Sequence, residues 1–389
     1  MYNFDEKVNR KGTNSLKWDL NGKVYGNEDA VSMWIADMDF KVSPHIIEEM
    51  QKVLERGIFG YVITPQTYYD AIINWMDRRH NYKAQKEWIT YVPNVVAALA
   101  YAVEAVSKEG DEIIVQTPAY GPFFQVVKNN GRTLVECPMK NDNGHYTMDL
   151  EEFEKKITPK TKATILCNPH NPTGRVWTKK ELQDFADICM KHNIFIISDD
   201  IHSELIMKNH KHTFISTLSE EIADRCIICT SPSKAFNLAS IHIANCIIKN
   251  EEVRKKFKEP MNKAHMFGGN VFSEAVVVGA YDKSEAWLDE LMEYIEGNVD
   301  LFVEFIKKEI PRLKVSKPEG TYFIWVDCSD LNMSPEELDE FMIKKCNVIT
   351  NKGIAFGEPG KTFVRFNLAC NRQQIKDVLN VLKTEINKL

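Results

Sequence analysis

Residues 162–174 read KATILCNPHNPTG, a short apolar run that breaks into a turn of Asn, Pro and Gly. A run of this length bounded by turn residues reads as a buried strand. The construction recurs. Asn193–Ser198 (NIFIIS) runs into Asp199-Asp200-Ile201-His202, and Arg225–Thr230 (RCIICT) runs into Ser231-Pro232-Ser233-Lys234. Asp111–Val115 (DEIIV) runs into Gln116-Thr117-Pro118-Ala119-Tyr120. Thr133–Cys137 and Ile243–Ile248 read as further strands, and helical patterns over Val95–Ser107, Pro122–Asn130 and Lys179–His192 lie among them. Such alternation predicts an α/β fold whose mixed, mostly parallel sheet is flanked by helices.

Beyond about residue 280 the pattern changes. Ser284–Ile310 is one long helical pattern stopped by Pro311, with Gly297 a candidate kink point. Strands Thr321–Val326 and Phe363–Asn367 and helices Ser334–Lys345 and Arg372–Lys388 follow, which predicts a smaller α+β domain. The expected division is an N-terminal arm (1–45) packing with the small domain, a large domain (46–283) and the small domain (284–389).

Lys plus Arg total 49 against 55 Asp plus Glu, a net charge of −6 with no basic tract, which argues against nucleic acid as a partner. At 44% hydrophobic and 27% charged, the chain is neither disordered nor fibrous. The polar start and the short apolar runs point away from export and membrane insertion. The nine cysteines, odd in number and scattered, suit reduced thiols in a cytoplasm. Cys226-x-x-Cys229 has redox spacing, but residues three apart on a strand face opposite ways, so buried structural thiols are expected.

In open α/β sheets the site lies at the carboxyl ends of the strands. Four strand ends here deliver Asn168 and Asn171, Asp199 and His202, Ser231, Ser233 and Lys234, and Tyr120 to one rim. Singly, each has a plain structural reading: a loop for Asn168–Gly174, a helix cap for Asp199, a solvated amine for Lys234. Together they fit the chemistry of pyridoxal phosphate (PLP). That cofactor needs a lysine amine to bond it and a carboxylate to keep its pyridine nitrogen protonated. It also needs hydroxyls and a helix N-terminus for its phosphate. Asn94 is placed to cap helix Val95–Ser107, leaving the N–H groups of Val95 and Val96 toward an anion.

Several motifs carry a family resemblance. Trp34–Phe40 (WIADMDF), Phe59-Gly60-Tyr61, Asn168–Gly174, Ser198–His202, Ser231–Ala239 and Phe363–Asn367 resemble those of PLP-dependent fold type I enzymes of the aminotransferase superfamily. Within it they resemble the cystathionine β-lyase (C–S lyase) branch, over nearly the whole chain. The resemblance implies that Lys234 bonds the cofactor and serves as acid and base, and that Asp199 pairs with the pyridine nitrogen. Asn171 and His202 would sit near the phenolic oxygen and Tyr120 would stack on the ring. Ser231, Ser233 and the amides of Val95 and Val96 would hold the phosphate. Tyr61 would reach the phosphate of a neighbouring subunit, which implies a homodimer with active sites at the subunit interface. Arg365 would clamp the α-carboxylate of a small amino-acid substrate, with Ala36 on the substrate side. The implied reaction releases a thiol, pyruvate and ammonia from cystathionine or a related cysteine S-conjugate. An aminotransferase is the runner-up, and a PLP-binding regulatory protein acting through a partner is the alternative of another class.

The chain departs from the family pattern at four positions, which bear on substrate range and rate. Ala235 replaces a Thr, Ser240 and Asn94 replace Gly, and His242 stands where many aminotransferases place a phosphate-binding Arg. If position 240 requires positive φ, the serine side chain would shift the backbone.

Overall fold

Seven strands form the main sheet of the computed structural model, which describes residues 2–266 and 268–389. In sheet order they are Ile89–Val92, Ala244–Ile247, Cys226–Thr230, Phe195–Asp199, Thr161–Cys167, Glu112–Thr117 and Thr133–Pro138. The last five pair in parallel, and Ala244–Ile247 runs antiparallel to both its neighbours. This is the expected mixed, mostly parallel sheet, with one strand, Ile89–Val92, added at an edge.

Both faces of the sheet are covered, which is why its strands read as nearly continuous apolar runs. Ile113, Val115 and Ile197 pack toward helices Val95–Val106 and Glu251–Lys263, while Ile114 and Ile196 pack with Trp75, Leu182 and Phe185 on the other side. Cys226 and Cys229 fall in these opposite clusters, as the strand period requires. All nine cysteines are free and buried.

The helix ends follow sequence signals. Asn94 Oδ1 accepts the Ala97 N–H at 2.8 Å and caps Val95–Val106. Thr178 and Glu181 form a capping box on helix Lys179–Lys191. Helix Glu285–Glu309 continues through Gly297. A Cβ at 297 would lie 2.8 Å from Arg372 Nη2, so the glycine makes room for that guanidinium.

A second, antiparallel sheet has the order Lys314–Val315, Phe323–Asp327, Phe363–Asn367, Asn351–Lys352. Helices Pro335–Lys344 and Arg372–Ile386 accompany it. Near the N-terminus, Val31–Ser32 pairs in parallel with Val348–Ile349, and Phe4 packs edge-on against Phe40 and Trp287. The following residues, Trp34–Phe40, pass between the loop after strand Cys226–Thr230 and strand Phe363–Asn367. They are held by Asn237 on one side and Asn367 on the other.

Candidate active site

The parallel strands end at one level, so their terminal residues meet. Cys167 pairs with Asp199, and Asp199 with Cys229, at the carboxyl edge of the sheet. Past that edge Tyr120, Asn171, Asp199, His202, Ser233 and Lys234 line a cavity of about 220 Å³, together with Ala36, Val95 and Val96. Gly174 closes the Asn-Pro turn at φ +74°. A Cβ there would lie 2.3 Å from Pro318 Cβ, so only glycine fits.

The Lys234 amine donates to the Ala36 carbonyl at 2.7 Å, and the Tyr322 hydroxyl donates to the same oxygen at 3.1 Å. Burial lowers the amine to about 8. Burial pushes the Asp199 carboxyl up to about 7, against a 3.1 Å hydrogen bond from the Ile201 N–H. Burial, and then the charges of Lys234 and Arg365, hold His202 well below its ordinary range, so its ring is neutral. Its Nδ1 is buried without a hydrogen-bond partner among the described residues. The ring lies edge-on to Tyr322 and Phe323.

Two expected site residues are not among those lining the cavity. Ser231 Oγ donates to Ile243 O at 2.6 Å and accepts the Ser233 N–H at 3.0 Å, which fixes the turn carrying Ser233. Arg365 Nη1 donates to Asn171 Oδ1 at 2.7 Å, and Nη2 donates to Trp34 O at 2.9 Å and to Asn351 Oδ1. The guanidinium lies 3.8 Å over the Phe323 ring, and burial lowers it to about 10. Tyr61 is outside this cavity and fully exposed.

Asp200 follows the same strand as Asp199 but turns away from the cavity. It lies 3.1 Å from His212 Nε2, and burial pushes it up to about 8. The alternation of strand side chains separates the two carboxylates.

The departures resolve in part. Ser240 lies in the turn Ala239–Ile241, and the positive φ values fall at Asn237 (+57°) and His242 (+59°) instead. Position 240 therefore needs no glycine. His242 lines the cavity, its carbonyl held by the Tyr91 hydroxyl at 2.8 Å.

The sequence reading missed Tyr322, which lay inside an ordinary strand pattern. It also missed the two amides that hold the Trp34–Phe40 segment. Asn237 Nδ2 donates to Met38 O (3.1 Å) and Phe40 O (2.9 Å), and its Oδ1 accepts the Met38 N–H (3.0 Å). Asn367 Nδ2 donates to Ile35 O and Asp37 O, each at 2.6 Å.

The comparisons with known proteins agree with this arrangement. The family model for aminotransferase class I and II matches residues 28–382. Cystathionine beta-lyase PatB of Bacillus subtilis (strain 168) is 39% identical over 386 residues, covering 99% of this chain and 100% of PatB. The structure of cystalysin from Treponema denticola, which contains a pyridoxal 5'-phosphate cofactor, superposes with TM-score 0.97 at 35% identity, covering 100% of this chain and 99% of that one. The PLP-bound C-S lyase from Staphylococcus hominis gives TM-score 0.92 at 31% identity, over 99% and 98% of the two chains. With its main sheet, its strand-end cavity and its full-length match all in accord, this chain belongs to the aminotransferase class I and II family of PLP-dependent fold type I proteins, in the carbon–sulfur lyase branch.

Proposed function

We propose that this protein is a PLP-dependent carbon–sulfur β-lyase, which cleaves cystathionine or a related cysteine S-conjugate to a thiol, pyruvate and ammonia. One observation carries the reading: a lysine amine, a buried carboxylate and an unpartnered imidazole nitrogen converge on a single cavity. PatB, cystalysin and the Staphylococcus hominis lyase support it.

The residues fit PLP. An ionised Asp199 has one backbone N–H as its hydrogen-bond donor among the described residues and needs a cation in the cavity, which a protonated pyridine nitrogen would be. The buried, unpartnered Nδ1 of His202 carries a desolvation cost that a polar ligand would relieve. At the helix start, Asn94 takes up the N–H groups of Ala97 and Ala98, and those of Val95 and Val96 precede both bonds. With the Ser233 hydroxyl they suit a phosphate.

When bound, PLP supplies a ring that accepts electrons from the substrate Cα. Lys234 would bond the cofactor and, once its amine is free, take the proton from Cα. An amine lowered to about 8 is partly uncharged near neutral pH, as a base must be. Asp199 would hold a proton on the pyridine nitrogen. Asn171 and the neutral His202 would face the phenolic oxygen, and Tyr120 would cover one ring face. A guanidinium has five N–H donors, and Arg365 uses three on Asn171, Trp34 and Asn351. One of the two left, the Nε–H, is buried without a hydrogen-bond partner among the described residues, a cost that an oxygen of an α-carboxylate would relieve, with the Ala36 segment beside it. Sulfur leaves Cβ readily, so no dedicated acid is required of the chain.

Pyruvate release from cystathionine without any keto acid tests the reaction. Release is expected. Amino-group transfer that requires an added keto acid would make the protein an aminotransferase. Inertness toward all sulfur amino acids would favour a PLP-binding regulatory protein.

The proposal includes a cytoplasmic homodimer with shared sites and the division into residues 1–45, 46–283 and 284–389. Nine buried free thiols support a reducing compartment, and among the described residues no helix is long and apolar enough to cross a membrane. Ile58, Phe59, Tyr61 and Ile63 form an exposed run that a second copy would cover. Mixed dimers refolded from inactive Tyr61→Ala and Lys234→Ala chains test the sharing. Random pairing puts both lesions in one site of half the dimers, so roughly one quarter of wild-type activity returns. No recovery after demonstrated exchange would reject shared sites.

A further inference from the structure

Segment 34–40 carries a charge cluster that the reading above leaves unused. Arg10 grips Asp37 with both terminal nitrogens, Nη1 to Oδ1 and Nη2 to Oδ2, each at 2.8 Å. Nη1 also donates to Asp39 Oδ1 at 2.8 Å. Lys17, only 1% exposed, reaches Asp39 Oδ2 at 2.8 Å and lies 3.6 Å from Asp37 Oδ1. Two cations thus balance two carboxylates. This cluster begins one residue after Ala36, whose carbonyl holds the Lys234 amine at 2.7 Å.

We propose that Arg10 and Asp37 form a charge couple that sets the proton affinity of the Lys234 nitrogen: Asp37 favours positive charge there, and Arg10 offsets that pull. The proposal rests on the PLP-lyase reading, in which Lys234 bonds the cofactor and exchanges a proton. An arm that only needed anchoring could use apolar contacts, as Phe4 already does. A bidentate guanidinium on the residue next to the lysine's acceptor instead fixes the position and charge of a carboxylate.

The neighbouring charges are few. Facing Lys234 are Asp37 from the N-terminal segment, Asp199 from the central strand, His202 from the following loop, and Tyr322 and Arg365 from the second sheet. Facing Asp37 are Arg10, Lys17, Lys234 and Tyr322. Burial lowers the Lys234 amine, and of the groups that favour its charge Asp37 stands ahead of Asp199.

A purely mechanical tether and a charge couple differ in sign. Removing Arg10 takes away the bidentate partner of Asp37 and leaves it Lys17, which also serves Asp39, so Asp37 acts more strongly on Lys234 and the nitrogen holds its proton to higher pH. Removing the Asp37 charge does the reverse. Loosening the segment mechanically would act in the same direction for both.

The test is a pH titration of the visible absorption of the PLP-loaded, full-length protein. Arg10→Gln should move the midpoint up by about 0.5–1 pH unit, and Asp37→Asn should move it down by a similar amount. Arg10→Lys keeps the charge and loses the fork, so its midpoint should stay within about 0.3 unit of wild type. Shifts of the same sign, or none in either variant, would overturn the proposal. If Arg10→Gln fails to fold, Asp37→Asn decides alone: a midpoint that does not fall rejects it. Lys234→Ala must erase the band. If the band survives, the lysine assignment itself fails, and that failure is distinct from this one.

Discussion

Two sides of the cavity are built by different means. On the rim, Asp199, Asn171 and Lys234 follow adjacent strands, and a ladder of backbone hydrogen bonds brings them level. Opposite them, Trp34–Phe40 arrives from the far end of the chain. It is held by side-chain amides and Arg365, through bonds that span 197 to 332 residues of sequence. The rim supplies the groups that would touch cofactor and substrate. The segment supplies the carbonyl that the Lys234 amine bonds and a balanced pair of carboxylates. A site can therefore draw its reactive groups from rigid local structure and its electrostatic setting from a distant segment. Exchanging one charge on either side should have consequences of different size and kind.

The sharpest contrast lies within the rim itself. Asp199 and Asp200 are adjacent, equally buried, and both pushed up by that burial, to about 7 and about 8. They differ in what lies beyond. Asp199 faces a cavity that can hold a cation, which would draw its proton affinity back down. Asp200 faces His212 in packed interior, where burial favours its neutral form. Asp199→Asn should cut kcat by roughly 10²-fold or more, the scale of losing one preorganised charge partner. Asp200→Asn replaces a carboxyl that burial biases toward its neutral form with an amide, away from the cavity, and should leave kcat within about tenfold, at a stability cost of about 1–3 kcal/mol. Steady-state rates and thermal midpoints of the two variants decide it. The reverse order of kcat losses would mean that the wrong carboxylate has been assigned.

Arg365 sits where the two sides join, bonded to Asn171 on the rim and to Trp34 O on the segment. Arg365→Ala should raise KM by about 10–100-fold, as expected for a charge-assisted pair worth 1.5–3 kcal/mol. The visible absorption of the PLP-loaded protein should persist, since Lys234 is held on its own turn through Ser231 and Ser233. Loss of that absorption in the purified variant would show that Arg365 holds the cofactor pocket together and does not chiefly hold substrate.

Much of the rim was legible in the sequence because its strands are buried on both faces and each ends in polar residues. The strand Ile89–Val92 was not, being four residues at a sheet edge with Pro93 next. Helix Ser273–Tyr281 is apolar on nearly every side, so it lacks the period that marks a half-buried helix. Helix Glu251–Lys263 contains Pro260, which reads as a breaker. On the segment side, motif resemblance alone singled out Trp34–Phe40. Nothing in the local pattern says that the Ala36 carbonyl faces an amine 198 residues away, or that Tyr322 shares that oxygen. Contacts of this kind are set by packing of the finished fold, and only a three-dimensional structure brings them out.

The smallest expected effect isolates how the segment is fastened. Asn237 does two things at once: its amide makes three hydrogen bonds to Met38 and Phe40, and its backbone sits in the left-handed region at φ +57°. Asn237→Gly removes the bonds and keeps the backbone at ease. It should lower stability by about 1–3 kcal/mol, from the carbonyls and N–H left without partners. Asn237→Ala removes the same bonds and adds the strain of a Cβ at positive φ, so it should cost roughly 1 kcal/mol more. Both should retain the visible absorption, because Lys234 stays on its rim turn, held through Ser231 and Ser233. Denaturant midpoints of the three proteins measure the two increments separately. An Asn237→Gly variant as stable as wild type would mean that the segment is fastened by its charges and apolar contacts, leaving the amide without the tethering role given to it.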